Sequence, residues 1–94
     1  MTFEWDPYKA AINQKKHGIA FDWAVTAFDD ERHFILYNQA HSHNEERYQL
    51  IGSTQDPFMV VVVIFTVREP GSIHRIISAR KATPAEKRIY DQID

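Results

Sequence analysis

Arg75-Ile76-Ile77-Ser78-Ala79-Arg80-Lys81-Ala82-Thr83-Pro84-Ala85-Glu86 reads as a strand running directly into a helix. The β-branched pair Ile76 and Ile77 favours extended backbone. Thr83 and Glu86 have the spacing of a capping box, and Pro84 suits the first helical position. Arginine stays charged at physiological pH and grips phosphate through a planar fork of donors. Arg75 and Arg80 on one strand therefore suggest a phosphodiester site. The competing reading makes them solvated strand residues paired with Asp or Glu. Strict alternation puts Arg75 with Ile77 and Ala79, and Ser78 and Arg80 on the other face. The two arginines can share a cleft only if the strand twists or bulges, or if the site wraps its end.

Working outward, Pro70-Gly71-Ser72 marks a turn before this strand, and Phe58 to Val67 reads as a central strand. Asp56-Pro57 is a turn, Arg47 to Ile51 alternates as a half-buried strand, and His33 to Tyr37 reads as another. Asn38 to Asn44 is polar and loop-like. Toward the N-terminus, Phe3-Glu4-Trp5 suggests a short first strand, and Asp6 with Pro7 opens a helix that Gly18 closes. A second helix is expected from about Asp22 to Phe28, with Phe21, Ala24, Val25 and Phe28 as its buried face. The last helix should run from Pro84 to about Ile93. The expectation is an α+β fold: two N-terminal helices and a C-terminal helix on a mainly antiparallel sheet, with residues 1–94 forming one domain.

Composition narrows the function. Of 94 residues, 44% are hydrophobic, enough to exclude a disordered chain. Cysteine is absent, which rules out disulfides, thiolate metal sites and a cysteine nucleophile. The first residues lack a secretory signal pattern, and the longest apolar run, Phe58 to Phe65, is too short to span a bilayer. A soluble, cytoplasmic protein is expected, with no membrane contact. The net charge of −2 opposes bulk binding of duplex DNA. Its distribution is uneven: Asp22, Asp29, Asp30 and Glu31 make one segment acidic, while Arg68, Arg75, Arg80, Lys81, Lys87 and Arg88 make the last third basic.

Three other stretches could carry chemistry. Lys15-Lys16-His17-Gly18 is explained by a helix C-terminus alone, since cations there offset the macrodipole. It also offers Lys16 as a phosphate contact and His17 as a proton-exchanging group. Glu45-Glu46-Arg47 reads as a charged strand edge, or as a site in which Glu46 acts as general base or orients an arginine. His41-Ser42-His43 invites a metal reading, but no third ligand has diagnostic spacing, so no metal and no cofactor are expected. No Gly-rich phosphate loop is present.

The ordered set Trp5-Asp6, Lys9, Asn13, Lys16-His17-Gly18, Phe21, Ala24, Phe28-Asp29-Asp30, Glu46-Arg47, Gly52, Arg75 to Arg80, Ala82, Glu86 and Tyr90 resembles the BrnT toxins of bacterial type II toxin–antitoxin systems. The resemblance implies a RelE-like fold, a metal-independent endoribonuclease and neutralisation by a BrnA-like antitoxin bearing a DNA-binding domain. It further implies that the complex represses its own operon, with operator DNA contacted only through the antitoxin, and it leaves room for a toxin homodimer within the complex. The positions carried over are Lys16, His17, Glu46, Arg47, Arg75 and Arg80; separately, Arg68 and Lys81 of the basic last third are expected as RNA contacts. In the expected reaction the ribose 2′-oxygen attacks phosphorus, Arg75 and Arg80 stabilise the transition state, and Glu46 or His17 removes the 2′-proton. The antitoxin is expected to cover the patch around Arg75, Arg80 and Lys81, or to lie beside it. The rivals are a non-catalytic binding module and a degenerate toxin kept for its antitoxin contacts.

Overall fold

In the computed structural model, residues 1–37, 45–68 and 71–93 are described. The polar loop with His41 and His43 lies outside them, as does Pro70. The elements are β1 (Thr2–Glu4), α1 (Pro7–His17), α2 (Phe21–Ala24), a 3-10 helix (Val25–Asp29), β2 (Phe34–Tyr37), β3 (Tyr48–Ser53), β4 (Val60–Arg68), β5 (Ile73–Lys81) and α3 (Pro84–Asp91). They form a five-stranded sheet in the order β1-β5-β4-β3-β2, antiparallel except that β1 runs parallel to β5. The fold is α+β, as the alternation of periods implied.

The helices begin and end where their local chemistry dictates. The Asp6 carboxylate accepts from the Tyr8 amide, Pro7 follows, and Gly18 closes α1 in the left-handed region at φ 73°. The second helix departs from expectation: it is α-helical only to Ala24, then tightens to 3-10. Thr26 explains the change. Its hydroxyl donates to the Trp23 carbonyl at 2.6 Å and accepts from the Gln55 amide at 2.9 Å, in competition with the α-helical ladder. Ala27 thereby joins Phe21, Ala24 and Phe28 in the core. The central strand starts at Val60 rather than Phe58, which is exposed.

The register assigns each side chain a face. Val61, Val63 and Phe65 of β4, Leu50 of β3, and Ile76 and Ala79 of β5 face α1, α2 and the 3-10 helix, and form the larger core with Ile19, Phe21 and Phe28. Phe28 meets Phe3 and Phe65 edge-on, with ring centroids 4.9 and 5.2 Å apart. Gly52 belongs to this face because a Cβ there would come within 2.9 Å of the His33 Cβ. The opposite face carries a smaller core of Ile51, Val62 and Tyr90, covered by α3.

Ile76 and Ala79 are three residues apart yet share a face, which simple alternation forbids. Phe65 pairs with Ile76 while Ile64 pairs with Ser78, so Ile77 is an extra residue in β5. This bulge resets the alternation. Arg75 and Arg80 consequently lie on the same face, beside Thr66 and Val62 respectively.

Beyond Arg75, β5 has no outer strand among the described residues, because β1 ends at Glu4. Asn13 of α1 takes that place. Its amide donates to the Ala79 carbonyl at 2.9 Å and to the Ile19 carbonyl at 3.2 Å, and its oxygen accepts from the Ala79 amide at 3.2 Å. One buried side chain thus continues the ladder and anchors a helix whose outward residues are mostly exposed.

The C-terminal helix is held by polar contacts as much as by burial. Thr83 and Glu86 form the expected capping box. Glu86 also pairs with Arg80 in a fork, at 2.8 and 3.0 Å. The Arg80 bond outweighs the effect of burial and holds the Glu86 carboxyl down at about 2. At the other end, Tyr90 donates to Asp30, and Arg32 stacks 4.9 Å over the Tyr90 ring while donating to the Ile93 carbonyl at 3.0 Å. Burial alone would raise the Asp30 carboxyl, but the Tyr90 hydroxyl and the Ser53 and Arg32 amides leave it below its ordinary value.

Two outcomes follow. Asn13→Ala should destabilise the domain by about 2–4 kcal/mol, because it orphans buried backbone groups at Ala79 and Ile19; the urea midpoint measures this. Asn13→Asp should fare no better at neutral pH, because a carboxylate cannot donate to either carbonyl. The second outcome concerns acid. Glu86 binds its proton less readily folded than unfolded, so its contribution is complete above its ordinary value of 4.5 and is lost as pH falls towards about 2. Urea midpoints of the wild type should decline across that window, and Glu86→Gln should show a shallower decline, with the remainder due chiefly to Asp30.

Candidate active site

The sheet face bearing α3 carries cations near the N-terminal end of β5, where the Arg68 and Arg75 side chains are 53% and 33% exposed among the described residues. Arg75 sits there with Glu4 on one side of it in register and Thr66 on the other. The Glu4 Oε2 accepts from Arg75 Nη1 at 2.8 Å and from Arg68 Nη1 at 3.1 Å. One carboxylate oxygen thus braces two guanidiniums. The hydrogen bond from Arg75 is the main cause of the lowered Glu4 carboxyl, ahead of the opposing effect of burial.

Arg47 precedes β3 by one residue, and continuation of the register brings it beside Thr66, on the side away from Arg75. The buried Thr66 hydroxyl fixes that end of the strand by donating to the Glu46 carbonyl at 2.7 Å. The Arg47 guanidinium approaches Glu45 at 3.7 Å. Arg80 occupies the same face four ladder steps from Arg75, roughly 13 Å away at strand rise. It stands at the margin of α3, gripped by Glu86. Ile64 and Ser78, paired across β4 and β5, lie between the two arginines.

Of the residues singled out from the sequence, Arg47, Arg68, Arg75 and Arg80 therefore come to one face. The carboxylate pairing of Arg75 and Arg80 that belonged to the competing reading is also present, through Glu4 and Glu86. Glu46 sits elsewhere: its carboxylate accepts from the Tyr48 hydroxyl at 3.2 Å, and Tyr48 stacks on Phe65 on the helix-covered side. Lys81 pairs in register with Val61 and so belongs to that side too, at its exposed end. Lys16 and His17 end α1 and line a groove of about 240 Å³ with Lys9, Ile12, Asn13, Ile77 and Ser78. Ser78 is common to the groove and the arginine face, so the two adjoin across the edge of β5.

The sequence reading missed Glu4 as the brace of the arginine pair. No local pattern could reveal it, because the contact joins opposite ends of the chain. Asn13 was legible as a residue and not as a substitute for a strand. Among the described residues, no group of three or more His, Asp or Glu side chains could hold a metal ion. Nor is any helix long and apolar enough to cross a membrane.

A sheet face with four guanidiniums and bracing carboxylates is suited to gripping the non-bridging oxygens of phosphodiesters. No curated protein matches the chain. A family model, however, matches residues 5–86, spanning both the Asn13 anchor and the whole arginine strand, and on that match the chain belongs to the family described as the ribonuclease toxin, BrnT, of type II toxin–antitoxin systems.

Proposed function

We propose that the chain is a metal-independent endoribonuclease whose reacting phosphate sits on the arginine face. The observation that carries this reading is the β5 bulge, which sets Arg75 and Arg80 on one side of the sheet with Arg47 and Arg68. The ribose 2′-oxygen attacks the adjacent phosphorus as a base takes its proton. The bond from phosphorus to the 5′-oxygen then breaks, and that oxygen takes up a proton. The products are a 2′,3′-cyclic phosphate and a 5′-hydroxyl. Arg75, assisted by Arg68 and Arg47, meets the charge that grows on the phosphorane oxygens. Arg80 holds a neighbouring phosphate of the same strand. Glu4 orients Arg75 and Arg68 before substrate arrives. The base is His17, reached across Ser78, or Glu46, approached from the far rim.

The neutralising partner is a BrnA-like antitoxin that lays a polar or acidic segment over or beside Arg75 and Arg80, with Lys81, on the other side of the strand, within reach only at its edge. Operator DNA is bound by the antitoxin, which suits a toxin of net charge −2. A toxin homodimer within that complex would use the outer edge of β2, where Ile35, Leu36 and Tyr37 are 47–50% exposed. One observation favours a second reading. Both Arg75 and Arg80 have internal carboxylate partners, as they would in a copy that kept them for structure and antitoxin binding alone.

Arg75→Ala separates the readings. It should slow cleavage of a single-stranded RNA by roughly a hundredfold or more while leaving the urea midpoint nearly unchanged, because the lost pair is partly exposed. An equal loss of stability and activity would support the structural reading. Cleavage by the wild type should survive EDTA and stop when every 2′-hydroxyl is replaced by hydrogen. Of His17→Ala and Glu46→Gln, the variant lacking the base should lose kcat far more than it changes KM.

A further inference from the structure

We propose that the groove between α1 and the β5 bulge is an RNA subsite, distinct from the arginine face, that holds the single strand flanking the scissile phosphate. The proposal rests on the ribonuclease reading above. Lys9 and Lys16 contact phosphates there, and Ile12 and Ile77 form an apolar wall against which a base packs.

Four observations carry it. Lys9, Ile12, Asn13 and Lys16 recur at helical spacing along one stripe of α1, and all line the groove. Lys9 and Lys16 are two turns apart, about 10 Å along the axis, so a chain lying between helix and strand meets both. No carboxylate lines the groove, and among the described residues neither lysine is ion-paired. The arginines opposite are partly matched by Glu4 and Glu86, whereas among the described residues no carboxylate offsets the groove lysines.

The third observation is apolar surface beside those cations. Ile12 is 49% exposed on the helix, and Ile77 is the extra residue that the bulge delivers to the same groove. Charge for the backbone and an apolar wall for the base are what sequence-tolerant binding of a single strand requires. The fourth is continuity: Ser78 belongs both to the groove and to the arginine face. An RNA strand leaving the arginines therefore crosses the edge of β5 into the groove. A peptide strand cannot add to that edge at Ala79, because the Asn13 amide already occupies the backbone N–H and C=O there.

The test uses a fluorescent single-stranded RNA made uncleavable by 2′-O-methylation, titrated by anisotropy at several salt concentrations. Lys9→Gln and Lys16→Gln should each weaken binding several-fold at low salt. Each should also flatten the log–log salt dependence by about 0.7, one phosphate contact on a single strand. In cleavage assays Lys9→Gln should raise KM more than it lowers kcat. Lys87→Gln, an exposed cation on α3 paired with Asp91, serves as the control and should change neither slope nor KM. Ile12→Ser should weaken binding without altering the slope. Unchanged affinity and slope in both Lys9→Gln and the charge-reversed Lys9→Glu would overturn the subsite. The ribonuclease reading would then stand alone, provided Arg75→Ala still abolishes cleavage. If the wild type cleaves no RNA but the groove variants still lose RNA affinity and slope, the subsite stands and the nuclease reading falls. Loss of affinity for the antitoxin with RNA binding intact would make the groove a protein-docking site and refute the proposal.

Discussion

One extra residue in β5 governs the relation between core and site. A strand that alternates strictly could not bury Ile76 and Ala79 together, nor hold Arg75 and Arg80 on one face. The bulge at Ile77 achieves both. It keeps the apolar residues on either side of it in the helix-covered core, so the same irregularity is demanded by packing and exploited for charge. Three of the four arginines of this face, Arg68, Arg75 and Arg80, are carried by β4 and β5, and Arg47 immediately precedes β3.

The bulge would leave β5 exposed along its outer edge were it not for Asn13. A short β1 covers only Ile73 to Arg75. Bare edges invite pairing with other chains, and a side-chain amide that copies the pattern of a strand blunts this edge without adding one. It also fixes α1 close to the bulge, which creates the groove. The anchor and the groove are therefore two aspects of one contact, because the helix stripe that carries Asn13 also carries Lys9, Ile12 and Lys16.

Much of this was legible in the chain. Asp6-Pro7, Gly18 and Thr83-Pro84-Ala85-Glu86 announced helix ends because caps are made by neighbours in sequence. The valine run announced the central strand because both its faces are covered. The antiparallel pairing of consecutive strands and the α+β class followed from short connections. What escaped notice was non-local. The pairing of β1 with β5, the Glu4 brace and the Asn13 ladder join residues more than sixty positions apart. The tightening of the second helix escaped for a different reason: apolar spacing records which face is buried, not whether Thr26 competes for a carbonyl. The arginine strand sat between these cases. Alternation correctly said that Arg75 and Arg80 could not share a regular strand face, and a bulge was one of the stated escapes.

The carboxylates that brace the arginines shape the chemistry as well as the fold. An unbraced arginine samples many rotamers and must be ordered when substrate binds. Glu4 and Glu86 hold Arg75, Arg68 and Arg80 beforehand, in the manner of a preorganised electrostatic site. They also compete with phosphate, since each already occupies part of a guanidinium fork. The balance differs along the strand. Glu4 shares one oxygen between two arginines and leaves donors of both unused, whereas Glu86 takes both ends of the Arg80 fork and the start of a helix besides. On the proposed reading, substrate meets open donors at Arg75 and occupied ones at Arg80, an asymmetry that suits bond-making at the β1 end of the face and phosphate holding by Arg80 at the margin of α3.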